Sequence, residues 1–416
     1  MYLSRMSLSH RVRRMTGRDP HEAHRAATPL ELLFDLTFVV AFSQISSQAA
    51  HYLEVDHLAA ALMGFAFGTF AVTWAWITYT WLASAYDTDD VFFRVATLVI
   101  MVGVLVVALG VPDVFSSIEH GEHLDNSVMV AGYVIMRIAT VALWLRAARH
   151  DEARRRTCLA YAINISIAQV GWIALIFLTL PVGITLVFTT LLMLLELAGP
   201  LFAELRFGRT PWHAHHIAER YGLLVIITLG EVILGTILAI SAVVTVQGWN
   251  LETALVAFGG TALAFSMWWM YFAIPFGKVL GQHRERAFVW GYLQIALFGS
   301  LIGVGAGLHL AATVITHDAH VDATYAILTI AISVFAFETL LLVLSTLLVR
   351  AFNVFQVWLH VGAFAVLVAG VAAVALGASL GVGIILVAAS PAIAVVGPES
   401  VSRRRAVGVS RHAPLW

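Results

Sequence analysis

Mainly apolar runs long enough for a helix to cross about 30 Å of hydrocarbon recur twelve times along the chain. Those in the first half are 31–50, 58–82, 95–114, 128–146, 158–178 and 183–202. Those in the second half are 219–243, 252–274, 288–310, 323–349, 354–376 and 380–396, the last being short and rich in Gly and Ala. The longest links, 146–157 and 203–218, are too short to fold as separate soluble domains. The pattern predicts an all-α integral membrane protein of about twelve transmembrane helices, with tails at 1–29 and 398–416.

Composition narrows the class further. Of the 416 residues, 60% are hydrophobic and 12% charged, and the mean hydropathy is +0.87. A soluble domain carries about 25% charged residues, so soluble, disordered, collagenous and nucleic-acid-binding classes are excluded. Formal net charge is only −1, but the charges are sorted. Twenty-three of the 24 Lys and Arg residues fall before the first run, in the links after the even-numbered runs (counting Arg146 and Arg220 at the edges of their runs) or in the C-terminal tail, and none follows an odd-numbered run. Basic residues mark cytoplasmic loops. The sorting predicts both termini in the cytoplasm and an even number of spans. The N-terminal stretch holds six Arg and no apolar core, and Arg13-Arg14 is not followed by an apolar run, so neither a secretory nor a twin-arginine signal is expected. Cys158 is the single cysteine, which excludes an internal disulfide.

The two halves match in order. "ELLFDLTFVVAFSQ" from Glu31 and "ERYGLLVIITLGE" from Glu219 each open a helix on Glu and carry a polar residue within it, Gln44 or Glu231. Trp76, Tyr79 and Arg94 correspond to Trp268, Tyr271 and Arg286 at one offset of 192 residues; Arg137 and Arg149 correspond to Glu338 and Arg350 at 201. Six spans per copy make the copies enter from the same face. This predicts parallel repeats, 30–204 and 205–397, about a two-fold axis along the membrane normal.

"PLELLFDLTFVVAFSQISS", "YTWLASAYDTDDVFFR", "YVIMRIATVALWLRAARHD" and "HHIAERYGLLVIITLGEVIL" resemble the low-temperature-requirement A family of bacterial membrane proteins. The likeness runs from about Pro29 to the end of the last span. It implies a polytopic fold in the bacterial cytoplasmic (inner) membrane and, through the family's name, a link to growth at low temperature, but no defined molecular activity.

Ionisable residues within a span cost about 2.5–3.5 kcal/mol each and are functional candidates. Arg137 sits mid-span, Glu338 matches it in the other half, Glu231 is central in the seventh span, and Glu196 lies one turn before Pro200. Arg137 must meet a carboxylate; Glu231, Glu338 and Glu196 are the candidates in that order. Three carboxylates against one Arg require at least one proton for neutrality, which suits a proton relay and an inert carboxylic acid alike.

Glu31 and Asp35 share a helix face near the cytoplasmic end of the first span. Glu219 and Arg220 hold the matching place in the second half, so a network with a Glu31–Arg220 pair is expected there. Gln44, Trp76, Tyr79, Trp268 and Tyr271 are candidate vestibule residues, against the alternative of an interfacial aromatic belt. "GSLIGVGAG" (Gly299 to Gly307) reads as a close helix-packing surface. "WHAHHIAE" and "DTDD" lie at the rim and lack the converging donors of a metal site, so no metal or cofactor is expected.

The leading function is movement of a small solute or ion, with proton coupling one mode open to it. The alternatives are a structural or sensory protein for low-temperature adaptation, with tightly paired buried charges, and a lipid-acting membrane enzyme with a cavity open to the bilayer. The expected partners are the bilayer and that solute, not nucleic acid; oligomeric state is not legible.

Overall fold

The computed structural model describes residues 13–349 and 354–410 apart from 21, 23, 24, 122 and 179, with side chains to 395 except that of Val349. Arg350, the expected counterpart of Arg149, lies outside these residues, as do the first twelve positions and the side chains of Arg403, Arg404 and Arg405.

Fourteen α-helices and no strand occur among the described residues. They are α1 (Pro29–Glu54), α2 (Leu58–Tyr86), α3 (Val91–Leu109), α4 (Val111–His120), α5 (Ser127–His150), α6 (Arg155–Phe177) and α7 (Val182–Phe207). Then come α8 (Ala214–Gln247), α9 (Leu251–Phe272), α10 (Phe276–Gln282), α11 (Ala287–Ile315), α12 (Ala323–Val349), α13 (Val354–Ala375) and α14 (Leu380–Ser410). Eleven helical segments are long and apolar enough to cross a membrane, and 380–395 supplies a shorter apolar helix. Large apolar side chains remain exposed on the helices, as with Ile138, Val170 and Phe258. In water such a surface would be a liability; in lipid it is the expected outer face.

Helix boundaries follow local chemistry. Asp90 caps α3 by accepting from the Phe93 N–H at 2.9 Å. Asn250 and Thr253 form a reciprocal box at the start of α9. The third apolar run continues past its expected end as α4, because Pro112 falls at the first turn of that helix, where a missing N–H costs nothing.

The chain divides into two compact units. The first comprises residues 1–44 and 66–221, and the second 45–65 and 222–416. In the first unit α3 packs on α5, α5 on α6 and α6 on α7. The α3–α5 contact depends on paired glycines: a β-carbon on Gly132 would stand 2.7 Å from the Gly103 carbonyl oxygen. Described residues that precede α1 are packed into this unit. Met15 is fully buried, the Arg18 N–H bonds the Ala85 carbonyl at 3.0 Å, and Arg25 bonds the Ser84 and Ala83 carbonyls near the end of α2. In the second unit α11 packs on α12, α12 on α13, α13 on α14, and α14 on α9. The small-residue surface of α11 is used as its sequence predicts: Gly307 lies against Ile330 of α12, with no room for a side chain.

Candidate functional site

Four constellations of buried polar groups stand out. The first is a clasp in the first unit. Arg137 on α5 donates to Glu196 Oε2 on α7 at 2.5 Å, and both side chains are about 95% buried. The Trp74 indole on α2 donates to the same oxygen at 2.5 Å, and the Trp172 indole on α6 to Oε1 at 3.2 Å. The guanidinium carbon lies 5.2 Å from the centre of the Tyr133 ring. The adjoining cavity, lined by Phe67, Phe70, Met129 and Met193 among others, measures about 20 Å³, room for about one water. Glu196, ranked last of the three partners by sequence, is the one that meets Arg137. Glu231 and Glu338 belong to the second unit.

The second constellation lies towards the basic end of the first unit, where two helical i, i+4 pairs meet. Arg220 on α8 holds Asp35 on α1 through both oxygens, at 2.6 and 3.2 Å, and stands 2.8 Å from Glu31 Oε1. His216, one turn before Arg220, contacts Glu31 Oε2 at 3.2 Å. The Trp76 indole donates to Asp35 Oδ1 at 2.7 Å, and the Arg220 guanidinium lies over the Trp76 ring. Tyr79 stacks on Phe34 and bonds Thr97 at 2.8 Å. The Glu31–Arg220 pair is present, but Glu219 is not in the network. A helix turns about 100° per residue, so the neighbour of Arg220 faces elsewhere; Glu219 is exposed and accepts from the Ala27 N–H at 3.3 Å. His216 has the right spacing on α8 to join Arg220, although its context, "WHAHHIAE", resembles a metal-ligand cluster.

The third and fourth belong to the second unit. Glu338 on α12 is fully buried and bonds the Ser390 hydroxyl of α14 at 2.7 Å. Glu231, also buried, lies on α8 where Gly305 of α11 approaches: a β-carbon there would stand 2.9 Å from Glu231 Cβ and 3.1 Å from Ser46 Oγ. One turn along, His309 forms part of a polar cavity of about 530 Å³, with Ser47, Gln48, Ser241, Thr245 and Thr316 among its lining and no Lys or Arg. None of these vestibule residues was singled out by the sequence.

The other candidates scatter. Tyr271 is buried and accepts from Gln294 at 3.4 Å. Trp268 is 38% exposed, stacks on Phe265 and meets the Phe272 ring at a tilt, so it does not share the buried environment of Trp76. Gln44 is half-buried on α1. No cluster of three metal-binding side chains occurs among the described residues.

Outside the spans two aspartates are tuned in opposite directions. Burial, reinforced by the Glu31 charge, pushes the Asp87 carboxyl up to about 6. Burial also acts to raise Asp90, but bonds from the Arg146 guanidinium and from the Phe93 and Arg13 N–H groups outweigh it and hold that carboxyl at about 2.

Over 258 residues the chain is 29% identical to the uncharacterised protein RA0937 of Rhizobium meliloti (strain 1021), a match covering 58% of this chain and 57% of that protein's length. The family of bacterial low temperature requirement A proteins (LtrA) matches residues 26–391, which include every constellation described above. The chain is a polytopic membrane protein and belongs to the LtrA family.

Proposed function

We propose that the protein moves a small solute or ion across the bacterial cytoplasmic membrane through its second unit, while the first unit acts as a rigid frame. The observation that carries this reading is the polar cavity of the second unit. Beside hydroxyls that are bonded to their own helices, its lining holds the Gln48 amide, the Glu54 carboxylate and the His51 and His309 imidazoles. His309 Nε2 has no hydrogen-bond partner among the described residues, and the whole is a polar set that water or a small solute would satisfy. It is bordered by the link after α1, the end of α8 and the end of α11, and those links hold no Lys or Arg. By the sorting of basic residues this is the external end, with both termini cytoplasmic. One helical turn from His309, Gly305 packs closely against Glu231 and Ser46.

The parallel repeat, with copies at 30–204 and 205–397, is part of the same proposal. Within each unit a mid-span residue of the fourth span answers one in the sixth: Arg137 meets Glu196, and Glu338 meets Ser390. Tyr79 and Tyr271, on the second and eighth spans, each bond the span that follows.

The tight pairing in the first unit is what the structural or sensory reading requires, and it supports that role for the frame. It does not account for the hydroxyl-lined cavity. The test is flux in liposomes holding the full chain, read by osmotic swelling with potassium, sodium, choline and erythritol as probes. Thr316→Cys labelled with a bulky maleimide should block whichever probe is carried. Equal permeability of loaded and empty liposomes to all four would reject transport.

A further inference from the structure

We infer that Glu338, Ser390 and the Ala363 carbonyl form an exchangeable proton-binding site in the second unit, the counterpart of the fixed Arg137–Glu196 clasp in the first. Its role as a coupling site rests on the transport reading; its occupancy by a proton does not.

The argument begins with hydrogen atoms. Ser390 Oγ lies 2.7 Å from Glu338 Oε1 and 3.0 Å from the Ala363 oxygen of α13. A hydroxyl has one hydrogen and accepts through its lone pairs, whereas a carboxylate and a carbonyl only accept. With Glu338 ionised, the single Ser390 hydrogen must be divided between two acceptors. With a proton on Glu338 both contacts are satisfied in series: the carboxyl O–H donates to Ser390 Oγ, and the Ser390 O–H donates to the Ala363 oxygen. Loss of the proton to water leaves a carboxylate that takes the Ser390 hydrogen for itself.

Charge gives the second line. Glu338 and Ser390 are both fully buried, and Glu338 Oε2 has no hydrogen-bond partner among the described residues. Glu196 is neutralised by a guanidinium built into the chain. No basic side chain within ion-pair distance of Glu338 is found among the described residues, so its charge must be cancelled by something that can come and go. Among the helices packed on α12, α13 brings His360, which bonds Thr339 beside Glu338 at 3.1 Å. α11 carries Tyr292 and His309, α10 carries Lys278, and α14 has no titratable side chain over 380–395. His360 also lines a cavity of about 340 Å³, together with Ser345 and Gln356, that begins one turn along α12 at Leu341 and Leu342. That cavity gives water a route to within a helical turn of the site.

The experiment is infrared difference spectroscopy on the full-length protein in lipid, with a pH jump from neutral to alkaline. A protonated-carboxyl stretch should disappear on the jump, be absent in Glu338→Gln, and shift in Ser390→Ala. Glu338→Gln keeps an acceptor and a donor for Ser390, so it should fold; thermal unfolding confirms this. A band unchanged in folded Glu338→Gln overturns the site, and so does a site that is deprotonated at neutral pH and responds to added sodium instead. A chain that shows the Glu338 band but moves no probe retains the proton site and loses the transport role.

Discussion

Arg137→Met should strongly destabilise the first unit. The guanidinium is about 95% buried and is the ion-pair partner of a carboxylate that is equally buried. Its removal leaves Glu196 out of water without its cation, bonded to the Trp74 and Trp172 indoles. Stranding one member of a buried pair costs about 3–5 kcal/mol, against a total stability of about 5–15 kcal/mol. The partner's chemistry sets the rescue. In Arg137→Met/Glu196→Gln the charge is gone and the Gln oxygen still accepts from an indole, so most of the loss should return, because replacing both charges is close to neutral. The assay is thermal unfolding in detergent, read by loss of the monodisperse species, for both single variants and the double. A double variant as unstable as Arg137→Met alone refutes the clasp, since the cost would then lie in lost packing around Tyr133 rather than in an unpaired charge.

Arg220→Lys should lower the unfolding temperature, because a compact ammonium cannot hold both Asp35 oxygens while pairing with Glu31; an unchanged midpoint would show that charge alone suffices. Asp87 contributes stability that is fully present below 3.8 and is lost as pH rises through about 6. Asp87→Asn should therefore gain on the parent between pH 4 and pH 7, by about 3 kcal/mol at most, as read by unfolding midpoints against pH. Asp90 works in the other direction: its contribution is present above 3.8 and lost as pH falls through about 2, so the destabilisation of Asp90→Asn should be undiminished at pH 7. In intact cells, a membrane-impermeant thiol reagent should label Asp318→Cys and not Arg155→Cys; labelling of Arg155→Cys would invert the proposed topology.

Hydropathy made the spans legible because each must be apolar along its whole length, whatever it packs against. Partner choice is another matter. The sequence offers Arg137 three carboxylates, Glu231, Glu338 and Glu196 in that order, yet its partner is set by which helices are neighbours. α5, α6 and α7 follow one another with short links and pack in sequence, which brings Glu196 within reach. Helical spacing would have identified His216 as the companion of Arg220, since both lie on the face that meets Glu31 and Asp35. The indoles of Trp74 and Trp172 carried no such signal, because in a chain with 12 Trp residues a donor to a buried carboxylate reads the same as an interfacial aromatic. The vestibule was hidden for a similar reason: Ser and Thr in a helix satisfy their hydroxyls on the preceding turn, as Thr245 does on Ser241, and sequence does not say which of them also face a cavity.

Cohesion within each unit must come from something other than the hydrophobic effect, because lipid is as apolar as the side chains that face it. What remains is close packing and polar pairing, and the two are spent differently along the chain. In the first unit glycines admit α3 to α5, and guanidinium–carboxylate contacts bind α5 to α7 and α1 to α8. All of these charges are part of the covalent chain, so this arrangement does not depend on pH until a carboxylate itself is protonated. In the second unit glycines again bring α11 to α12, but the polar link between α12 and α14 runs through Glu338 and Ser390 without a built-in cation. Loss of one proton there puts a bare charge between three helices, and the least costly response is for those helices to separate enough to admit water. The proposed division into a frame and a moving part rests on this difference: fixed charges hold the first unit, and the inferred removable proton holds the polar link of the second.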